Sequence, residues 1–179
     1  MKEARLEETE SGLRPADEGW FVVNARDARW MRHEAFGAGC VFEGPESGFH
    51  QIGINLRVLE PGQPNGLYHR ELQQEAFLVL EGECRLLVEG QERLLQAWDF
   101  VHCPPHTEHI FVGAGSGPCV ILMVGARSPE GQDFYVASEV ARRYGASVRQ
   151  DTDSTEEAYR PFPQLEAARP LAWQRLPWV

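Results

Sequence analysis

The chain has 179 residues, 42% apolar and 25% charged, which suits one globular domain with extensions better than two domains. Its 17 basic against 27 acidic side chains give a formal charge of −10 without a basic stripe, which excludes nucleic acid as an expected partner. No apolar run is long enough for a spanning helix and the first residues are charged, so neither a membrane partner nor a secretory leader is expected, and the cytoplasm is the expected location.

Residues 1–19 are rich in Glu, Arg, Gly and Pro and are expected to form a flexible N-terminal arm. Structure is expected to begin at Trp20-Phe21-Val22-Val23. Gln51 to Val58 then alternates, with Ile52, Ile54, Leu56 and Val58 on one face and Gln51, Gly53, Asn55 and Arg57 on the other, the pattern of a half-buried strand. Further short strands are predicted at 76–80, 84–88, 93–96, 100–103, 109–112 and 119–124, with a hairpin turn at Glu89-Gly90-Gln91. Gly or Pro punctuates nearly every junction, and no helical period interrupts residues 50–125. The fold class is therefore all-β, an antiparallel sandwich or barrel. Ser138 to Tyr144 predicts a short helix with Ser138 as N-cap and Gly145 just past its end, and Ser154 to Glu157 has capping-box spacing for a second, ended by Pro161. Residues 161–179 hold four prolines with Leu165, Leu171, Trp173, Leu176 and Trp178, an extended tail expected to dock on the barrel or on a second subunit. The resulting organisation is an arm over 1–19, a barrel over 20–130 and an extension over 131–179.

Four of the six histidines, His69, His102, His106 and His109, fall between positions 69 and 109. Side chains two apart on a strand point the same way, so His69 and Glu71 project together. A tight turn at Gln73-Gln74 would put Glu75 at the head of the next strand beside them, and His109 could close the set from a later strand. Two neutral imidazoles and two carboxylates neutralise a divalent cation and suit Fe, Mn, Zn or Ni, with positions left for water or substrate. The metal-ligating candidates are thus His69, Glu71, Glu75 and His109. His102 and His106 read as ordinary polar residues, His33 and His50 have no motif around them, and Asp99 reads as a turn-closing residue. Cys40, Cys84, Cys103 and Cys119 are widely spaced and read as reduced thiols, and Cys103 lacks the base partner a nucleophile needs.

The same residues resemble the cupins, small double-stranded β-helix barrels. The first cupin motif, in outline PG, then H-x-H, a Glu three or four residues on, and a Gly, is matched by Pro61-Gly62, His69, Glu71 in place of the second His, Glu75 and Gly82. The second, G-D, then P-x-G-x-x-H, is matched by Trp98-Asp99, Pro104, His106 in place of Gly, and His109. The resemblance covers about residues 58–124 and implies a double-stranded β-helix with short C-terminal helices and an extended tail. It implies one divalent transition metal inside the barrel, in a site that Glu71 makes harder and more anionic than the usual three His and one Glu. If the backbone at 106 needs positive φ, the His there is strained. The implied function is binding or conversion of a small organic molecule, as a metal-dependent oxygenase or isomerase; the alternative is a non-catalytic binding or sensing module with an empty or vestigial metal site. Cupins often pair through terminal segments, so a homodimer is expected, with the arm before Trp20 or the segment around Trp173 and Trp178 at the contact.

Overall fold

The computed structural model describes residues 1–129 and 133–179. It opens with a hairpin of β1 (Leu6–Thr9) and β2 (Gly12–Pro15), in register from Leu6↔Pro15 to Thr9↔Gly12. This corrects the expected loose arm over 1–19. Asp17 accepts from both the backbone N–H and the guanidinium of Arg5, Arg14 pairs with Glu7, and Leu13 bridges to Ala28. Local polar pairing therefore orders a segment that has few apolar groups to bury. Residues 20–23 carry no strand beyond a bridge from Trp20 to Glu3, and Trp20 and Val22 are exposed. The first barrel strand is β3 (Arg29–His33), paired with β4 (Gly37–Val41), two strands that the alternation of apolar residues did not announce. The expected boundary between positions 130 and 131 lies outside the described residues.

The remaining strands are β5 (Ile52–Leu59), β6 (His69–Arg70), β7 (Glu75–Glu81), β8 (Glu83–Val88), β9 (Gln91–Gln96), β10 (Phe100–Cys103), β11 (His109–Ala114), β12 (Cys119–Ala126) and β13 (Phe134–Tyr135). One sheet runs β10-β7-β12-β5-β4-β3 and the facing sheet β13-β6-β11-β8-β9, with antiparallel pairing throughout. From β5 to β13 the chain crosses between the two sheets at every step except β8 to β9, which is the double-stranded β-helix. A tight turn makes the β7–β8 crossing, and another joins β8 to β9 within one sheet. At Gly82, φ is +74° and a Cβ would lie 2.3 Å from the Pro118 carbonyl oxygen, so only Gly fits between β7 and β8. Glu89 and Gly90 both have positive φ and close the β8–β9 hairpin as a two-residue turn.

The two faces of β5 go to different places. Leu56 and Val58 pack on the outer side with Trp30, Cys40 and Val120. The C-terminal segment covers that side: Trp178 stacks on Trp30 at 5.6 Å, Trp173 meets Trp30 edge-on at 5.9 Å, and Glu166 pairs with Arg32. The tail thus docks on its own barrel. Between the sheets, Leu59, Phe77, Val79, Leu86, Phe111, Ile121 and Met123 fill the interior. The polar face of β5, Gly53, Asn55 and Arg57, also turns inward and lines a cavity of about 310 Å³. Helices α1 (Glu139–Arg142) and α2 (Thr155–Tyr159) start where the Ser138 and Ser154 hydroxyls accept the N–H groups of Ala141 and Glu157, and Gly145 has φ +69°. Tyr159 carries α2 to the cavity wall, where its hydroxyl accepts the N–H of Leu67.

Candidate metal centre

Strand register assembles the centre. His69 of β6 lies directly opposite His109, the first residue of β11. Glu75, the first residue of β7, pairs with Gly125 of β12, which pairs with Gly53 of β5. His69, Glu75 and His109 each begin a strand, and the cavity lies among them. One ligand atom each from His69, Glu75 and His109 falls within 4.8 Å of the other two. The imidazole rings are 5.1 Å apart, and His109 Nε2 is 3.3 Å from Glu75 Oε2.

The ring orientations are set from behind. His69 Nδ1 is 2.8 Å from the carbonyl oxygen of Leu67, and His109 Nδ1 is 3.0 Å from that of Thr107. A carbonyl can only accept, so each Nδ1 carries a proton, and in the neutral ring each Nε2 presents its lone pair toward the cavity. That tautomer is the one a metal-ligating imidazole needs.

Glu71, the fourth sequence candidate, falls outside the group of three. It follows β6 and lines the same cavity, with Oε1 3.8 Å from His69 Nε2. Its neighbourhood separates the two carboxyls. The His69 imidazole holds Glu71 below the usual carboxylate range, against the opposing effect of burial. Burial, and then the negative charge of Glu71, pushes Glu75 up to about 8. Burial, with His69 alongside, pushes His109 down to about 4. Burial also lowers His69, but Glu71, Glu75 and the Leu67 carbonyl outweigh it and leave that ring raised. Without a cation, burial and the Glu71 charge therefore favour the protonated form of Glu75. A divalent cation in that place reverses the balance and takes both carboxyls as anions.

The other sequence candidates lie elsewhere. His102 and His106 are exposed, His33 is buried against Phe36 and Phe162, and His50 is exposed. Asp99 closes the turn after β9 by accepting the N–H of Gln96. Cys103 is buried and its thiol is pushed up to about 12 by burial, the opposite of an activated nucleophile. Two positions where the cupin pattern has Gly hold other residues with the backbone a Gly would take: Trp98 at φ +77° and His106 at φ +69°. Cavity residues that the sequence reading did not single out are Asn65, Asp133, Tyr135 and Tyr159, which come from loops, the extension and α2. Only an apolar or aromatic residue spaced to reach across the fold could have marked them, and no such period exists.

Residues 55–125 match the family model of the cupin domain. The barrel is a cupin domain. Among solved structures, a sugar phosphate isomerase of the cupin superfamily from Silicibacter pomeroyi is 29% identical over 62% of this chain and 65% of its own, with a TM-score of 0.47. A protein from Acidithiobacillus ferrooxidans with a provisional designation of the same kind is 32% identical over 49% of this chain and 56% of its own, with a TM-score of 0.45. The chain therefore spans less than two thirds of either. The polyketide cyclase RemF from Streptomyces resistomycificus is 17% identical over 79% of this chain and 93% of its own, with a TM-score of 0.54, and shares the fold. No curated protein matches the chain. Among the described residues, no helix is long and apolar enough to cross a membrane.

Proposed function

We propose that this cupin is a metal-dependent enzyme acting on a small polar organic molecule, with His69, Glu75 and His109 holding one divalent transition metal. The observation that carries this reading is the pair of Nδ1–carbonyl hydrogen bonds, which leave both Nε2 lone pairs beside Glu75. When bound, the ion supplies Lewis acidity toward a substrate oxygen. The donor set of two imidazoles and a carboxylate is satisfied by Fe, Mn, Ni or Zn alike.

Glu71 supplies the second half of the chemistry. It is an anionic carboxylate in the cavity, beside the three ligands rather than among them. It is placed to take a proton from a carbon or hydroxyl next to the polarised oxygen and to return it, which is the work of an isomerase-type proton transfer. The second reading is oxygen activation, supported by the count of two His and one carboxylate with open positions. The test is to incubate metal-loaded protein with a panel of polyhydroxy aldehydes, ketones and acids in D2O. The expected result is deuterium uptake next to a carbonyl, lost in Glu71→Gln while metal content holds. Oxygen consumption without exchange would replace the first reading with the second. Absence of metal uptake would return the protein to the non-catalytic binding module. We also propose that the protein is a homodimer. Because Trp173 and Trp178 are spent on Trp30 of the same chain, the contact is to be sought on other surfaces.

A further inference from the structure

Two arginines line the cavity, and they differ in one respect. Arg127 makes a two-pronged pair with Glu43, at 2.7 and 2.8 Å, and also donates to the Phe49 carbonyl. Arg57 has no ion pair and no hydrogen bond among the described residues, and its Nε is buried without a partner. Arg57 is half-buried, and a guanidinium partly removed from water with its Nε unpartnered carries an unfavourable desolvation cost. Such a group persists where a ligand supplies the acceptor.

The surroundings say what that ligand looks like. Arg57 sits on the inward face of β5, four residues beyond Gly53, whose row across β12 contains Glu75. The strand thus separates Arg57 from the metal row by about 13 Å along its length. Its guanidinium lies over Gly39 of β4, where a Cβ would stand 3.4 Å from Nη1, so the strand opposite leaves it room. Tyr159 lines the same cavity, and the nearby Arg57 charge partly offsets the rise that burial imposes on its hydroxyl. Its hydroxyl oxygen already accepts from Leu67, which leaves its proton to donate. Between Arg57 and the metal row, Asn55 keeps a buried Oδ1 without a partner, an acceptor for a ligand hydroxyl.

We propose that Arg57, with the Tyr159 hydroxyl, anchors an oxyanion, a carboxylate or a phosphate, on a hydroxylated small molecule whose other end reaches the His69–Glu75–His109 group. The assignment deepens the function proposed above by naming the substrate class, and it rests on reading this cavity as the small-molecule site. The four-residue separation of Arg57 from the metal row along β5 leaves space for a chain of several carbons, with hydroxyls along it for Asn55.

The experiment is calorimetric titration of the full-length protein with D-gluconate, with inorganic phosphate and with sorbitol, the uncharged counterpart of gluconate. Gluconate, phosphate or both should bind, and sorbitol should not; which of the two binds identifies the anion as carboxylate or phosphate. Arg57→Met should weaken anion binding about ten- to a hundredfold, the worth of a charged hydrogen-bonding anchor. The same variant should keep its metal content and melt no lower than the wild type, since it removes a half-buried cation without a partner. If Arg57→Met does not fold, Arg57→Lys, which keeps the charge but not the fork, should bind with intermediate affinity. Unchanged anion affinity in these variants overturns the proposal. So does a lowered melting temperature in Arg57→Met, which would reveal a structural partner, and so does failure of both anions to bind the wild type. The metal reading fails separately: Arg57-dependent binding in a protein that takes up no metal leaves this inference standing, and metal uptake without it does the reverse.

Discussion

Replacing Glu75 by Gln separates the proton from the metal at the centre. The Glu75 side chain is only 12% exposed, and burial together with Glu71 pushes it to about 8, against roughly 4.3 for an exposed Glu. Between those values the folded state keeps a proton that the unfolded state has lost. The metal-free wild type is therefore most stable below this window and loses stability as pH rises through it, by up to about 1.4 kcal/mol per pH unit. Above about 8 the loss levels off. Glutamine has the same shape and no proton to lose, so that slope disappears. His69 and His109 titrate in both proteins, and because Glu75 helps to raise His69, the difference between the two reads position 75 together with its coupling to that ring. In chelator, from pH 5 to 8, the melting temperature of Glu75→Gln should climb relative to the wild type by a few degrees per pH unit, since about 1 kcal/mol is about 2–4 °C for a chain of this size. Adding a divalent metal should reverse the order, because the wild type gains binding energy that the neutral amide cannot match. Metal-free melting temperatures that run parallel across this range would refute the placement of the proton on Glu75.

Three further outcomes follow from local geometry. Trp98 and His106 hold positive φ without being Gly, a cost of about 1–2 kcal/mol each, so Trp98→Gly and His106→Gly should each raise the melting temperature in thermal denaturation rather than lower it. Trp178→Ala opens the stack on Trp30 and should destabilise by about 1–3 kcal/mol in denaturant titration, as befits a partly buried aromatic packed on the core; a loss under about 0.5 kcal/mol would mean that the tail only rests on the barrel. Glu71→Gln should leave metal stoichiometry intact by elemental analysis, whereas a halved or lost content would restore Glu71 as a fourth ligand.

The middle of the fold was legible because its strands are long, alternate and are punctuated by Gly and Pro. β5, β7, β8, β10, β11 and β12 lie within a residue or two of the predicted segments, and Ser138 and Ser154 cap their helices as read. β3 and β4 escaped because Gly37-Ala38-Gly39-Cys40 has no apolar contrast for a period to show; small residues there leave room for Leu59 and Arg57. The N-terminal hairpin escaped because it is ordered by Asp17, Glu7 and backbone bonds rather than by burial, which composition cannot register. His69, Glu75 and His109 could be read from parity and turn placement, since each begins its strand. Glu71 shares their cavity but falls outside the close group because β6 ends at Arg70, so strand parity no longer fixes its direction. The alternation in β5 was plain, but which face turned inward was not. The polar face encloses the cavity, and that inversion hid the significance of Asn55 and Arg57.

The measurement that bears most directly on the account is the metal content of protein purified without chelator, taken beside His69→Ala and His109→Ala. Close to one divalent transition ion per wild-type chain is expected, with loss from both variants and a higher melting temperature for the loaded protein. A wild type that binds no such ion at neutral pH, even when one is supplied, and melts identically with and without EDTA, would contradict the central claim.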